Sequence, residues 1–140
     1  MEMASLREAY GKALVELGAQ NKNIVALDAD LSKSTRTALF QEAYPERFFE
    51  ISIAEQNMIG VAVGLALTGK IPFVNSFAVF ATGRTYDQIR QSACIANINI
   101  KICGSSSGLS DFGDGATHQS LEDVALMRVL PNMTVLVPVD

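Results

Sequence analysis

Short apolar runs of strand length alternate along this chain with segments whose apolar residues return at helical spacing. The runs are "NIVALDAD", "FFEISI", "IPFVNSF", "INIKICGS" and "TVLVPVD". Between them, Leu6, Tyr10, Ala13, Leu14 and Leu17 predict a first helix with Ser5 as its N-cap and Gly18 as its stop. "TALFQEAYPER" predicts a short helix closed by Pro45, and "AEQNMIGVAVGLALTG", "TYDQIRQSACIAN" and "SLEDVALMRVL" predict three more. A strand that is apolar on both faces has no polar side to give to water, so it must be covered on both. The alternation therefore predicts an α/β fold: a doubly wound, mostly parallel sheet with helices on both faces. In such sheets ligands gather at the C-terminal ends of the strands. The polar segments "DADLSKST", "SIAEQN", "NSFAVF" and "GSSSGLSDFGDGATHQ" should then share one edge.

A chain of 140 residues is long enough for one substantial core, so residues 1–140 are expected to form a single domain. Eleven Lys and Arg against 15 Asp and Glu leave a net charge of −4. With no basic run, that balance argues against a nucleic-acid or anionic-membrane partner. Ile51 to Val74 has the length of a membrane span, but Glu55, Gln56, Asn57, Lys70 and Pro72 interrupt it, and Gly60, Gly64 and Gly69 divide it. Cys94 and Cys103 form no CxxC pair and read as reduced, mostly buried thiols. The N-terminal "MEMASLREAY" has no apolar h-region, which makes a cytoplasmic location the expectation and the "NMT" at Asn132 an accidental match to a glycosylation site. The chain ends at Val139–Asp140 directly after a predicted strand, as though cut from a longer polypeptide.

Several residues admit a plain and a chemical reading. Glu55 opens an apolar helix, where any acid is favoured by the helix dipole. Phe77 and Phe80, three apart after a strand, would serve as core, and the only histidine, His118, would be structural or solvated. Arg7 would be an exposed helix charge.

Taken together, "ALDADLSKST", "YPERFFEISIAEQNMIGVAVGLAL", "YDQIRQSA" and "CGSSSGLSDFGDGATHQSLEDVALMRVLPNMTVLVPVD" resemble the pyrimidine-binding (Pyr) domain of transketolase over essentially the whole chain. The resemblance implies thiamine diphosphate as cofactor and transfer of a two-carbon ketol unit between sugar phosphates. It gives Glu55 the role of hydrogen-bonding N1′ of the aminopyrimidine, so that the cofactor can shed its thiazolium C2 proton. A poorly solvated site suits a carboxyl that must give and take a proton. Phe77 and Phe80 would stack on the pyrimidine, with Gly83 standing where some members have a third aromatic. Asp114 would bind a hydroxyl of the sugar donor, His118 would sit at the donor's carbonyl end, and Arg7 and Ser34 would hold the sugar phosphate.

The "GDG" of Gly113–Gly115 belongs to this sugar-site pattern. It is not the motif with which thiamine enzymes hold Mg²⁺, because the following Asn132 comes too soon and no second Asn adjoins it. The resemblance thus assigns Mg²⁺ to a diphosphate-binding partner domain or subunit, and implies a C-terminal domain beyond this chain. It also implies at least a homodimer, and inactivity of the chain by itself. Deoxyxylulose phosphate synthase, which shares the "AEQ", "YDQ" and "DGxTHQ" patterns, is the rival in the same cofactor class. A non-catalytic Pyr-fold interaction subunit is the alternative outside it.

Overall fold

The computed structural model describes residues 5–138. Four strands, β1 (Ile24–Asp28), β2 (Phe48–Glu50), β3 (Ile71–Phe77) and β4 (Lys101–Ser105), form one sheet in the order β2-β1-β3-β4. Every pairing within the sheet is parallel, with Ala26 opposite Phe48 and Phe73, and Asn75 opposite Cys103. Among the described residues the α-helices are α1 (Leu6–Gln20), α2 (Ser32–Thr35), α3 (Ala38–Ala43), α4 (Glu55–Leu67), α5 (Tyr86–Gln88) and α6 (Asp123–Arg128).

All five residues of β1 are buried, and its apolar residues alternate between two cores. Ile24 and Ala26 pack with Leu14 of α1, Phe40 of α3 and Phe48. Val25 and Leu27 face the opposite way, to Met58, Ile59 and Ala62 of α4 together with Ile89, Met127 and Leu130. The period of two thus sends successive β1 side chains into different helical layers. The doubly wound α/β architecture follows, with all strand C-termini at one edge. Because the chain passes from β2 across β1 to β3, the order reverses at the β1/β3 crevice, where open α/β sheets take their ligands.

The boundaries differ from the sequence reading in instructive places. Gly18 does not stop α1, which runs on to Gln20. It is buried at a close approach, where a Cβ would lie 2.7 Å from Phe40 Cε2 and 2.8 Å from Tyr44 Cε2. Ser5 does precede α1, but its side chain makes no capping hydrogen bond. The predicted helix from Thr85 to Asn97 has only the single α-turn of α5, followed by a π-helical stretch, Ile89–Ile95. A second π-helical turn, Val79–Arg84, leads off β3 directly. The predicted last strand is irregular over residues 134–138, and Val139 and Asp140 lie outside the described residues. Among the described residues, no helix is long and apolar enough to cross a membrane. The two cysteines are free thiols, Cys94 buried and Cys103 partly so.

Candidate active site

The segment after β1 is tied to the sheet by one carboxylate. Asp28, fully buried at the C-terminal end of β1, accepts hydrogen bonds from the Leu31 backbone N–H at 2.7 Å and from the hydroxyls of Thr35 and Thr37, each at 2.7 Å. Burial pushes the Asp28 carboxyl above its ordinary range, against the opposing pull of those three donors. The same turn carries Ser34, whose carbonyl accepts from Arg7 Nη1 at 3.2 Å. Arg7 and Ser34 are therefore neighbours, as a shared anion-binding role requires, with Arg7 exposed and the Ser34 turn held from beneath by Asp28.

On the other side of β1, at the end of β2, Glu50 Oε1 accepts from the backbone N–H groups of Asp30 and Ser52, both at 2.9 Å. Both donors have positive φ, 62° at Asp30 and 58° at Ser52. The bonds fix two left-handed residues that an unsupported loop would not favour. That arrangement leads the chain into α4.

Glu55 is the first residue of α4 and only 2% exposed. Its Oε1 accepts from Arg84 Nη1 at 2.7 Å, while its Oε2 is buried without a hydrogen-bond partner among the described residues. The next residue, Gln56, donates from Nε2 to the Arg84 carbonyl at 3.0 Å. The Arg84 guanidinium in turn lies 4.2 Å from the centre of the Phe80 ring. Phe80 stacks with Phe77 at 6.4 Å between centroids and 21° between planes. His118 meets both rings edge-on, at 5.1 Å from Phe80 and 6.2 Å from Phe77. Glu55, Phe77, Phe80 and His118, far apart in sequence, thus converge through Arg84 into one patch. Asp114 is exposed and immediately precedes the 3₁₀ turn Gly115–Thr117 that leads to His118, whose Nδ1 lies 2.9 Å from the Thr117 hydroxyl.

A third polar group sits in the crevice itself. Tyr10 donates its hydroxyl to Asn75 Oδ1 at 2.5 Å, and Asn75 Nδ2 donates to the carbonyls of Leu27 and Phe73 at 3.0 and 2.9 Å. Burial raises the Tyr10 phenol well above its usual range and also raises the Cys103 thiol beside it. Neither Tyr10 nor Asn75 stands out in sequence, because each fits a helical or strand pattern. Arg84 is equally silent, although it adjoins Gly83, the position lacking a third aromatic. Asp28 carries a faint signal in two threonines seven and nine residues downstream. Among the described residues, no group of three or more His, Cys, Asp or Glu side chains could hold a metal ion.

The family described as transketolase, pyrimidine binding domain, matches residues 2–140. The chain belongs to that family. Its transketolase relatives include a protein named putative transketolase C-terminal section from Methanocaldococcus jannaschii, 51% identical over 96% of this chain and 43% of its own length. Human transketolase is 46% identical over 96% of this chain and 21% of its own length. Among solved structures, a split gene transketolase described as an inactive beta4 tetramer superposes with a TM-score of 0.77 and 60% identity, over 90% of this chain and 40% of that one. Transketolase from Campylobacter jejuni gives 0.82 at 25% identity, over 90% and 20%. The chain therefore spans less than half of the C-terminal-section relative and about a fifth of the full-length transketolases. As a transketolase Pyr domain, its four-stranded parallel sheet and two helical layers are the architecture the sequence pattern predicts.

Proposed function

We propose that this chain is the pyrimidine-binding portion of a thiamine-diphosphate-dependent transketolase, transferring a two-carbon ketol unit between sugar phosphates. It would act with a diphosphate-binding domain or subunit that supplies the Mg²⁺ site, in a cytoplasmic assembly of at least two copies of this chain. The observation that carries the reading is Glu55: a carboxylate 2% exposed, with one oxygen paired and the other buried without a partner among the described residues. An orphaned buried acceptor is costly, so a donor brought by a ligand is its natural complement.

The residues fit the cofactor. Glu55 would accept from the protonated N1′ of the aminopyrimidine, and the Phe77–Phe80 pair offers the flat apolar wall on which a heteroaromatic ring stacks. When bound, thiamine diphosphate supplies an acidic C2–H and an electron sink for cleavage beside a carbonyl. This chain's own residues hold and orient. Glu55 shares the proton at N1′ from a site where water cannot compete. His118, edge-on to both rings, would serve the donor's carbonyl end. Asp114, before the same turn, would accept from a donor hydroxyl. Arg7, with the Ser34 turn, presents a planar cationic array to the sugar phosphate.

The test is reconstitution with the diphosphate-binding partner, thiamine diphosphate and Mg²⁺, supplying a ketose phosphate donor and an aldose phosphate acceptor. The chain alone should be inactive and the complex active, with Glu55→Gln lowering turnover by at least about a hundredfold. Near-normal turnover in that variant would refute the role of Glu55. Pyruvate consumption with glyceraldehyde phosphate, without ketol transfer, would replace the transketolase reading with the synthase one.

A further inference from the structure

The ion pair at the mouth of α4 is not an ordinary surface pair. Arg84 is partly exposed, at 42% for its side chain, but its partner Glu55 is 2% exposed. Two consecutive residues of α4 grip Arg84 at two points. Gln56 holds its backbone carbonyl at 3.0 Å, and Glu55 holds its guanidinium at 2.7 Å. The guanidinium carbon then lies over Phe80, 4.2 Å from the ring centre. The backbone grip fixes where the side chain starts, and the ring limits the directions it can take. The N–H that reaches Oε1 is therefore presented from a defined position.

The consequence falls on Glu55. A glutamate has three rotatable side-chain bonds, and an unheld carboxylate would present either oxygen in several directions. With Oε1 committed to Arg84, a single acceptor, Oε2, remains. Resting on the reading of Glu55 as the partner of the aminopyrimidine, we propose that Arg84 is the positioning residue that selects the Glu55 oxygen left for the cofactor. Arg84 stands directly after Gly83, the position where some members of the family have a third aromatic. It contributes by holding the carboxylate and packing on Phe80. Arranging the site before the ligand arrives spares the ordering cost at binding.

The experiment is a double-mutant cycle in the complete enzyme assembled with its diphosphate-binding partner, read by calorimetric titration of thiamine diphosphate in the presence of Mg²⁺. Arg84→Met should weaken cofactor binding roughly tenfold, and Arg84→Lys, which keeps a charge but loses the planar fork, should recover part of that loss. In a Glu55→Gln background, Arg84→Met should change the affinity less than about twofold, because its effect passes through the carboxylate. Equal losses in both backgrounds would overturn the proposal by showing that Arg84 touches the cofactor directly. Unchanged binding in Arg84→Met would overturn it too. Tighter binding would mean that Arg84 is a lock competing with the cofactor for Glu55, which also refutes positioning. If Arg84→Met fails to fold, the Lys variant in both backgrounds decides by the same comparison. Wild-type affinity and turnover in Glu55→Gln alone would sink the functional reading and this role with it, whereas failure confined to the Arg84 arms leaves that reading standing.

Discussion

Removing the Asp28 carboxylate should loosen the segment after β1 by an amount that can be worked from its partners. Three donors converge on it at 2.7 Å: the Leu31 N–H and the hydroxyls of Thr35 and Thr37. Hydrogen bonds to a charged acceptor contribute about 1.5–3 kcal/mol each, so the gross loss in Asp28→Ala is roughly 4.5–9 kcal/mol. Two effects reduce it. Relief from burying a charge returns part. The Thr35 hydroxyl can also fall back on the Leu31 carbonyl at 3.2 Å or on the Thr37 hydroxyl at 3.0 Å, whereas the Leu31 N–H has no such second acceptor among the described residues. A net loss of about 2–4 kcal/mol follows, corresponding to a fall in Tm of roughly 10 °C for a domain of this size. Asp28→Asn keeps the acceptor for Leu31 and should lose only about 1 kcal/mol.

The two variants also differ from the wild type in pH dependence. Burial raises the Asp28 carboxyl in the folded state, so between its unfolded and folded values the native protein binds the extra proton. This contribution is therefore largest in acid and is lost as pH rises through the raised folded value, then stays flat. Asp28→Asn should lack that descending limb. Denaturant unfolding at several pH values measures both effects. A loss below about 0.5 kcal/mol for Asp28→Ala would refute the assignment of Asp28 as the anchor of the Ser34 turn, and identical pH profiles for wild type and Asp28→Asn would refute a carboxyl raised by burial.

The glycines of the helices should separate by surroundings. Gly64→Ala, with nothing within 4 Å of the added Cβ, should stabilise by about 0.5–1 kcal/mol. Gly18→Ala, which drives a Cβ to 2.7 Å from Phe40, should destabilise by roughly 1–2 kcal/mol in the same denaturant titration. In the reconstituted enzyme, Arg7→Ala should raise KM for phosphorylated sugars by about tenfold or more with kcat little changed, because the proposed phosphate contact would be charge-assisted and remote from the reacting carbon. An unchanged KM would move the phosphate site elsewhere. Cys103, whose thiol is pushed up by burial, should react with iodoacetamide at about pH 8 at least roughly tenfold more slowly than in the unfolded chain, as mass spectrometry can follow.

The elements that sequence predicted well are those whose burial follows from one dimension. β1 is apolar at every position before Asp28 because it is covered on both faces, and α4 is recognisable because its apolar residues run well past one turn. The misreadings share a cause in the third dimension. Gly18 has the residue type of a helix stop, but its role is set by Phe40 and Tyr44, more than twenty residues away. The segment from Thr85 to Asn97 carries a helical pattern, yet most of it is wound with π-type turns, which a hydrophobic period cannot tell from an α-helix. The last run, Thr134 to Val137, has strand composition without a strand, because β propensity becomes a strand only where a neighbour supplies the ladder.

The site divides along the same line. Glu55 and His118 stand out because each residue's chemistry is unusual for its local pattern, an acid in an apolar helix and a lone histidine in a glycine-rich loop, whereas Phe77 and Phe80 are singled out only by the family resemblance. The groups that hold the surrounding structure in place are chemically ordinary where they stand. Arg84 reads as one more charge after a glycine, and Asp28 as one acid in "DAD". Their importance lies in what they meet at 2.7 Å, Glu55 in one case and two threonine hydroxyls in the other. Glu55 can be recognised by its own neighbours in sequence. The residue that pairs with one of its oxygens lies 29 positions away, at the end of another turn, and only folding brings it there.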